Sequence, residues 1–563
     1  MTIKKLDDTL SVSAQLSPSD VKEAASAGFE AVICHRPDEE GEDQPTFETI
    51  AAAAREAGIE ARHQPIDPTG PSDEEVTAFE KLRRELPGPV LAFCRSGTRS
   101  ASLWALSSAK STASHAVLEK AREAGYELSA LEPRLEQMHA KATHGESGHD
   151  RSRGAREHDI LVVGAGAAGI AVTASLLARN ASLDIALIEP AGTHYYQPGW
   201  TMVGGGVFTA EQTARPMASL IPAGATRIEG AVATFEPAGN RVVLEDGGSI
   251  GYRRLIVCPG LKLDWTRVEG LPETLGKNGV TSNYRHDLAP YTWELVQKLE
   301  RGRAIFTQPP MPIKCAGAPQ KAMYLSADHW RRQGRLADID IAFHNAGPVL
   351  FGVADYVPAL MEYVERYGIA LNFGQNLVAV DGDAKRARFE TKDANGAMTV
   401  EEAEFDMLHV CPPQCAPDFV RRSELANEAG WVGVDQGTLR HERFANVWSL
   451  GDVCSAPNAK TAAAARKQAP IVAANVLADI EGRSAPAAYD GYGSCPLTVE
   501  RGKIVLAEFG YGGKLLPSFP SWALDGTRPS RAAWELKAKV LPPLYWHAML
   551  KGREWMARPT GGV

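Results

Sequence analysis

The cysteines are the residues of this sequence whose surroundings first suggest chemistry. The chain of 563 residues has eight of them, namely Cys34, Cys94, Cys258, Cys315, Cys411, Cys415, Cys454 and Cys495. They are too few for a disulfide scaffold, and no paired Cys or His spacing indicates zinc, so we predict no metal site. Two contexts favour reactivity: Cys94 follows a predicted strand in FCRSGTRS, and Cys315 enters a predicted helix in PIKCAGAPQ.

The Cys94 loop has the features of an anion-binding nest. Arg99 follows Cys94 with C-x4-R spacing, and Ser100 stands where the C-x5-R pattern of tyrosine phosphatases has arginine. Successive backbone N–H groups that enter a helix stabilise a thiolate or a terminal persulfide. We therefore predict that Cys94 and Arg99 form a catalytic site that stabilises anionic sulfur. If the loop is a phosphatase site instead, Asp67 is the general-acid candidate, and an inactive loop is a further alternative.

A glycine-rich turn between a strand and a helix predicts a dinucleotide site. The stretch HDILVVGAGAAGIAVTASLLARN contains Gly164, Gly166, Ala167 and Gly169 in a GxGxxG pattern, and Glu189 ends the next strand. The glycines permit a tight turn and close approach of a pyrophosphate to the helix N-terminus. Glu189 can accept hydrogen bonds from ribose hydroxyls and would repel a 2′-phosphate.

Two further features indicate FAD rather than NAD at this turn. The strand LIVCPG ends at Gly260, and Asp452 follows a strand in NVWSLGDVCSAPNAKTAAAA. In two-dinucleotide flavoproteins an Asp at this place binds the ribityl chain. Lys460 and Thr461 then begin a helix whose N-terminus faces the pyrimidine edge of the flavin, where positive potential stabilises the reduced anion. We predict FAD contacts at all four residues.

The second strand–helix unit lacks the pattern that NADH binding requires. RAIFTQ leads into PPMPIKCAGAPQ, in which Pro309, Pro310 and Pro312 have no N–H group. Such a loop cannot cradle a pyrophosphate. What it offers instead is Cys315, because a thiol at a helix N-terminus has a lowered pKa and becomes a nucleophile. A buried, inert cysteine is the alternative.

The order of strand and helix signals predicts an α/β protein of several domains. We predict a small domain with a parallel sheet at residues 1–140 and a polar linker at 141–157. Two Rossmann-like dinucleotide-binding domains with FAD follow at 158–520, and a C-terminal segment occupies 521–563. The formal charge of -9 argues against nucleic acid as a partner.

The C-terminal segment has the composition of a peripheral membrane contact. It contains four tryptophans and, in residues 531–563, six basic against two acidic residues, namely Trp522, Trp534, Trp546, Trp555, Arg531, Lys537, Lys539, Lys551, Arg553, Arg558, Glu535 and Glu554. Aromatic and cationic side chains favour the bilayer interface. Pro542 and Pro543 predict a split into two short amphipathic helices. The alternative is a helix docked on the protein's own core.

The sequence also predicts where the protein lies in the cell. The first residues, MTIKKLDDTLSVSAQ, lack the apolar stretch of a signal peptide, and the chain has no run of about 18 apolar residues that could span a bilayer. We expect a monotopic protein on the cytoplasmic side of the inner membrane.

Residues 158–556 resemble sulfide:quinone oxidoreductases of the mitochondrial-like type. The resemblance is carried by HYYQPGWTMVGGGVF, PIKCAGAPQKAMYLS, ERFANVWSLGDV, NAKTAAA, YDGYGSCPL and PPLYWHAMLKG. It implies FAD, a membrane quinone, membrane association and two redox cysteines that hold sulfane sulfur between them. The first cysteine maps onto Cys315 and the second onto Cys495, with Cys454 as the runner-up and Cys411 with Cys415 third. Gln197 is implied as an FAD contact.

In the N-terminal domain, the stretches VICHRPDEEG, HQPIDPTG and GPVLAFCRSGTRSA resemble a phosphatase-like family related to beta-lactamase hydrolase-like proteins, and CRSGTR resembles the active loop of rhodanese-type sulfurtransferases. The two resemblances together imply a bifunctional enzyme that oxidises sulfide, with Cys94 handling the persulfide sulfur and a small thiol or sulfite accepting it. The main alternative is an NADH:quinone-type FAD oxidoreductase fused to a tyrosine-phosphatase-like domain. A phosphatase fused to a flavin sensor and a non-catalytic flavoprotein scaffold are further alternatives, and a homo-oligomer is left open.

Overall fold

The computed structural model describes residues 3–7, 9–41, 44–67, 70–109, 112, 114–132, 134–136, 157–392 and 396–559. The chain forms two compact units, Met1–Arg153 and Gly154–Val563. The linker predicted at 141–157 lies outside the described residues except for its last residue, Glu157, which begins a strand.

The first unit contains a five-stranded sheet in the order β1-β2-β5-β3-β4. Its strands are β1 (Ile3–Lys5), β2 (Leu10–Ser13), β3 (Ala31–Cys34), β4 (Glu60–His63) and β5 (Val90–Phe93), and its helices are α1 (Pro18–Ser26), α2 (Phe47–Ala57), α3 (Asp73–Glu85), α4 (Thr98–Ser108) and α5 (Ser114–Glu123). The predicted parallel sheet is present in β2 to β5. Only the edge strand β1 departs from it, since it pairs with β2 antiparallel through a connection too short for a crossover.

The second unit begins with a seven-stranded sheet that has a parallel centre. Its order is β10-β7-β6-β13-β12-β11, and β24 also pairs with β13. These strands are β6 (Glu157–Val163), β7 (Ile185–Ile188), β10 (Ala225–Ile228), β11 (Val232–Glu236), β12 (Arg241–Leu244), β13 (Ser249–Val257) and β24 (Val447–Ser449). Helices α6 (Ala167–Arg179) and α13 (Ala462–Ile480) pack against each other beside it.

A second, fully parallel sheet follows in the order β15-β22-β16-β17-β18. Its strands are β15 (Val280–Thr281), β16 (Gly302–Gln308), β17 (Ile339–Asn345), β18 (Ala370–Phe373) and β22 (Met407–His409), with helices α9 (Leu288–Lys298), α10 (Ala318–Arg332) and α11 (Val357–Tyr367) around it. Two nucleotide-type sheets in one unit confirm the predicted fold class. Each has its own buried apolar core.

Smaller elements connect the two sheets. They are β8 (Thr193–Tyr195) with β9 (Ala214–Pro216), β14 (Lys262–Leu263) with β23 (Gln414–Cys415), the three-stranded sheet β19 (Asn376–Asp381), β20 (Arg386–Lys392) and β21 (Met398–Glu404), the hairpin β25 (Gly493–Glu500) and β26 (Lys503–Phe509), and the short helices α7 (Trp200–Val203), α8 (Leu271–Thr274) and α12 (Asp418–Arg421). The hairpin packs on α10, which brings Cys495 to the second sheet.

The prediction that Pro542 and Pro543 split the C-terminal segment into two helices is wrong. One helical run extends from α14 (Arg531–Glu535) through a π-helical stretch at Leu536–Val540 into α15 (Leu541–His547). The two prolines fall in the first turn of α15, directly after the π-helical stretch, and the wider π turn leaves room for the proline rings. In the described part of the chain, no helix combines the length and apolar character needed to span a bilayer.

Much of this segment packs on the protein itself. Tyr545 and Trp546 belong to the core of the first nucleotide-type sheet, and the Tyr545 hydroxyl lies 2.7 Å from His194 Nε2. Of the predicted interfacial residues, Trp546 is therefore interior, and so is Lys537, which is 3% exposed. Their apolar surroundings are the protein core, because an amphipathic pattern alone cannot tell a core from a bilayer. Trp522 and Trp555 are solvent-exposed, at 88% and 58%.

Candidate functional site

Two cysteines from distant parts of the second unit meet at one point. Cys315 lies in the loop between β16 and α10, Cys495 lies in β25, and their Sγ atoms are 3.7 Å apart. Both thiols are free. Cys454, the other candidate partner, instead lies with its Sγ 3.2 Å from the carbonyl oxygen of Gly451. The structure thus brings Cys495 rather than Cys454 to Cys315.

Gly317 makes this approach of the two sulfurs sterically feasible. A Cβ at position 317 would lie 2.5 Å from Cys495 Sγ and 2.4 Å from Leu497 Cδ2. Real Cβ atoms do not come that close to neighbours in a packed interior, so a larger residue would push β25 away. The position two residues after Cys315 is therefore small for a steric reason: it leaves room for Cys495.

The backbone of Cys315 is held in an unusual conformation. Its φ angle is +50°, in the left-handed region that non-glycine residues seldom adopt. Its N–H donates to the Lys460 carbonyl at 2.8 Å, and its own carbonyl accepts from Ala318 N at 2.7 Å. The Tyr284 hydroxyl adds bonds of 3.2 and 3.4 Å to the carbonyls of Lys314 and Cys315. These contacts fix the direction in which the thiol points.

Two buried lysines make the sulfur pair electrostatically asymmetric. The hydrogen bond from Cys495, together with Lys321 and Lys537, holds the pKa of Cys315 well below its usual range, whereas donating to Cys315 and burial raise the pKa of Cys495. Lys321 Nζ lies 3.0 Å from Cys315 Sγ, and the interaction with both cysteines raises the pKa of Lys321. Cys315 is thus the thiolate of the pair and Cys495 the thiol.

Sequence reasoning missed both lysines. Lys321 follows Cys315 by six residues and lies in the first turn of α10, so the motif PIKCAGAPQK contained a local signal. Lys537 comes from the C-terminal helical run, where its Nζ donates to the Pro198 carbonyl at 2.9 Å, and burial lowers its pKa to about 8. No local pattern could have assigned Lys537 to the cysteines.

The glycine-rich turn has the shape that a dinucleotide needs. A Cβ at Gly164 would lie 2.7 Å from the Cys258 carbonyl oxygen, and one at Gly169 would lie 1.8 Å from the Gly164 carbonyl oxygen, so both positions require glycine for close packing. Around Gly166 and Gly260, by contrast, a Cβ would meet nothing within 4 Å. Gly166 and Ala167 begin α6, whose N-terminus has no side-chain cap. An uncapped helix start beside open space fits a pyrophosphate.

Glu189 stands at the end of β7, as predicted, and its carboxylate holds the turn. Oε2 accepts from Ala165 N at 2.8 Å and Oε1 accepts from Ala191 N at 2.9 Å. Each carboxylate oxygen has a second lone pair, so the group can still accept ribose hydroxyls. The residues present therefore fit the adenosine half of FAD.

The predicted contacts to the flavin half come from three segments. Gln197 Oε1 accepts from Lys314 Nζ at 2.7 Å, and Asp452 lies in the turn after β24. Thr461 caps α13 by accepting from Ala464 N. Lys460 directly precedes this N-cap, and its Nζ donates to the carbonyls of Asp452 and Cys454, at 2.6 and 3.0 Å.

In the described residues of the second parallel sheet, two loops depart from the form of a dinucleotide cradle. The loop after β16 contains Pro309, Pro310 and Pro312. At the end of β17, a nucleotide site would present an acidic side chain to the ribose. This chain has Asn345 there, whose side chain donates to Val349 O and accepts from Gly347 N, at 2.9 Å each, within its own loop. That NADH is not a substrate stays a prediction.

In the first unit, Cys94 lies between β5 and α4 and is 1% exposed. Its Sγ accepts from Gly97 N at 3.2 Å. Arg99 donates to Glu40 at 2.8 Å and to the Ile66 carbonyl at 2.9 Å. Against the effect of burial, the bond to Glu40 raises the pKa of Arg99 most, and Cys94 adds to this rise. The predicted loop-to-helix geometry around Cys94 is therefore present.

Two other residues of the Cys94 loop region are placed as follows. Ser100, at the position where tyrosine phosphatases have arginine, has its Oγ 2.9 Å from His35 Nδ1. Asp67 is exposed. Among the described residues of the chain, no group of His, Cys, Asp or Glu side chains could hold a metal ion.

Known proteins match both units. Residues 2–111 match the family model described as beta-lactamase hydrolase-like protein, phosphatase-like domain. The mitochondrial sulfide:quinone oxidoreductase of Dictyostelium discoideum is 42% identical over 404 residues, which cover 71% of this chain and 87% of that protein. The corresponding protein of Mus musculus is 38% identical over 395 residues, covering 70% and 87%.

A solved structure gives the same comparison at the level of the fold. The sulfide:quinone oxidoreductase from the hyperthermophilic bacterium Aquifex aeolicus has a TM-score of 0.58 and is 19% identical, over 71% of this chain and 92% of that chain. At this identity the likeness shows the fold only.

Proposed function

The chain belongs to the sulfide:quinone oxidoreductase family and has an N-terminal phosphatase-like domain, and from this premise we propose a bifunctional sulfide-oxidising enzyme. In this proposal Cys315 and Cys495 oxidise sulfide to sulfane sulfur, FAD passes the electrons to a membrane quinone, and Cys94 carries sulfane sulfur onward. The observation that carries the proposal is the 3.7 Å separation of the two sulfurs beside buried cations.

The separation suits a pair that binds sulfur between its members. A direct S–S bond is ~2.05 Å long, and because divalent sulfur is bent, two such bonds through one bridging sulfur place the outer sulfurs ~3.3 Å apart. The sulfurs of Cys315 and Cys495, at 3.7 Å, are slightly farther apart than that. A one-sulfur bridge therefore needs only a small closure, whereas a direct disulfide needs the two segments to move together by more than an ångström.

The two cysteines have different tasks because their ionisation differs. Hydrosulfide attacks the oxidised pair, one S–S bond breaks, and the pair is left with a persulfide on one cysteine and a thiolate on the other. Cys315 is the better leaving thiolate, because Lys321 and Lys537 stabilise its charge. Cys495 then holds the sulfane sulfur. When bound, FAD would supply the two-electron acceptor that re-oxidises the cysteine pair and delivers the electrons to quinone.

The overall reaction balances with a thiol acceptor. One hydrogen sulfide, one acceptor thiol RSH and one quinone give one persulfide RSSH and one quinol, so two electrons and two protons move from sulfur to quinone. With sulfite as the acceptor, the sulfane sulfur leaves as thiosulfate. The chain's own contribution is to hold the thiolate, orient it through the bonds to Lys460 and Tyr284, and exclude water at buried Cys495.

The N-terminal unit is proposed to take sulfane sulfur from that product. The Cys94 thiolate attacks the outer sulfur of RSSH, which releases the thiolate RS⁻ and leaves a persulfide on Cys94. The N–H of Gly97 and the guanidinium of Arg99 are the groups that support the anionic sulfur. This assignment competes with phosphate-ester hydrolysis, which the name of the matching family suggests.

A quinone with a lipid-bound tail requires that the protein reach the bilayer. We assign this contact to the exposed part of the C-terminal segment, with Trp522 and Trp555 as interfacial aromatics and Lys539, Lys551 and Arg553 as exposed cations. We place the protein on the cytoplasmic side of the inner membrane.

The test is a steady-state assay of sulfide-dependent reduction of a short-chain quinone. We expect activity in the wild-type protein with sulfite or glutathione as acceptor, and loss of at least a hundredfold in Cys315→Ser and in Cys495→Ser. Cys415→Ser, at a half-buried cysteine of β23, is the matched control. Near-normal turnover in Cys315→Ser would reject the proposed role of the pair, and NADH-dependent turnover without sulfide would support the alternative enzyme.

A further inference from the structure

None of the roles predicted from the sequence involves the side chain of Lys314. It directly precedes Cys315, and its backbone N–H donates to Gln414 Oε1 at 2.7 Å. Its ammonium donates to Gln197 Oε1 at 2.7 Å and lies over the rings of Trp200 and Tyr284, at 5.3 and 5.8 Å from their centroids. The aromatic faces and the amide oxygen hold the cation in one place.

This place lies among residues that face the predicted flavin. Burial lowers the pKa of Lys314 to about 8, and Asp452 is the negative group that opposes this most, followed by Cys411 and Cys315. Burial raises the pKa of Asp452, and Lys460 and then Lys314 oppose that rise. Gln197, Asp452 and Cys315 come from three separate segments, and each is assigned above to the cofactor or to the sulfur that reduces it. The ammonium of Lys314 is therefore at their meeting point.

Lys460 is less suited to the task that its position in the sequence suggested. Its ammonium donates to two backbone carbonyls, those of Asp452 and Cys454, and lies 4.1 Å from the centroid of the Trp431 ring. A cation bound in this way fixes the Asp452 turn. Its contribution is to the shape of the loop rather than to a ligand.

We propose that the Lys314 ammonium contacts the isoalloxazine of bound FAD and stabilises the negative charge that the cofactor gains when it takes up two electrons. The inference rests on FAD binding as part of the proposed function and names the residue that sets the potential of that FAD. A fixed cation beside a developing negative charge stabilises the charged form. Removal of the cation should therefore make the flavin harder to reduce.

The experiment measures the midpoint potential of the bound FAD against a reference dye, with xanthine and xanthine oxidase as the electron source and no sulfide present. For Lys314→Met we expect the two-electron reduction equilibrium to fall at least tenfold, which corresponds to about 30 mV. Lys314→Gln keeps a donor for Gln197 without the charge and should show the same loss. Lys314→Arg keeps the charge and should restore most of the wild-type potential.

Two comparisons separate charge from structure. Lys262→Met removes an exposed lysine that pairs with Asp418, and it should leave the potential unchanged. Lys460→Met should lower FAD retention more than it lowers the potential. The proposal is overturned if the FAD bound to Lys314→Met and Lys314→Gln has the wild-type midpoint potential. It is also overturned if the potential shifts as far in Lys314→Arg as in Lys314→Met, or if only Lys460→Met shifts the potential.

The outcome is separable from that of the proposed function. The dye titration uses no sulfide, so a wild-type flavin that sulfide does not reduce would defeat the proposed function and leave the Lys314 result interpretable. An unchanged potential in Lys314→Met, with normal reduction by sulfide, would defeat only the inference about Lys314.

Discussion

Replacement of Lys321 by methionine removes the cation closest to the reactive sulfur. Lys321 Nζ lies 3.0 Å from Cys315 Sγ and is 2% exposed, so water cannot take its place easily. Methionine has a similar length and is apolar, which suits a buried position on α10. The substitution therefore removes the charge and leaves the packing nearly intact.

The expected change in the pKa of Cys315 follows from the hydrogen bond that is lost. A hydrogen bond to a charged group contributes ~1.5–3 kcal/mol, and each pKa unit corresponds to ~1.36 kcal/mol. Loss of the Lys321 bond should therefore raise the pKa of Cys315 by about 1–2 units. The Cys495 thiol and Lys537 still act on Cys315, so its pKa should not reach that of a thiol without partners.

The assay is the pH dependence of alkylation of Cys315 by iodoacetamide, after anaerobic reduction of the protein. Mass spectrometry of the peptide that contains Cys315 separates its rate from those of the other cysteines. The midpoint of the alkylation profile should move to higher pH in Lys321→Met, and the rate of flavin reduction by sulfide at pH 7 should fall in parallel.

Lys262→Met, a change at an exposed lysine, is the control and should leave the profile where it is. The reasoning is refuted if Lys321→Met folds, binds FAD and gives the wild-type midpoint. In that case the low pKa of Cys315 would have a source other than the Lys321 ammonium.

Three more predictions follow from the same geometry. Gly317→Ala should separate the two sulfurs, because the added Cβ would lie 2.5 Å from Cys495 Sγ, and should lower sulfide-driven turnover at least tenfold while FAD absorbance stays unchanged. Cys94→Ala should abolish thiosulfate:cyanide sulfurtransfer and leave sulfide-dependent quinone reduction intact; equal sulfurtransfer in both proteins would contradict the role of Cys94. Lys537 should make folding less favourable below pH 8 than above it. Burial lowers the pKa of Lys537 to about 8, whereas in the unfolded chain it has the ordinary lysine pKa of about 10.5. Between these two pH values the unfolded chain binds more protons, so the free energy of unfolding rises with pH across this range. Lys537→Met should therefore have a higher Tm relative to the wild type at pH 7.5 than at pH 9.5, and an equal difference at the two pH values would count against a buried charge.

The parts of the site that depend on local backbone geometry were predictable from the sequence. Gly169 packs against the Gly164 carbonyl within the same turn, Gly166 is the N-cap of α6, and Glu189 follows at the end of the adjacent strand. The pattern of two nucleotide-type units is also local, since each strand–helix pair has its own periodicity. Both family resemblances are confirmed by the matches to known proteins.

The parts that depend on long-range packing were not predictable from residue patterns. Cys495 is 180 residues from Cys315, and only the family resemblance indicated it as the partner. The helix start at Lys460 was located correctly, yet the direction of its ammonium depends on carbonyls that the fold presents. The C-terminal pattern was ambiguous in the same way, because Trp546 and Lys537 pack inside the protein.

The most direct test of the account is a single-turnover experiment on the purified protein without oxygen. Sulfide should bleach the flavin absorbance near 450 nm in the wild-type protein and leave it unchanged in Cys315→Ser, and NADH should bleach neither. Bleaching by NADH together with an oxidised flavin in excess sulfide would contradict the claim that electrons enter this protein through the Cys315 thiolate.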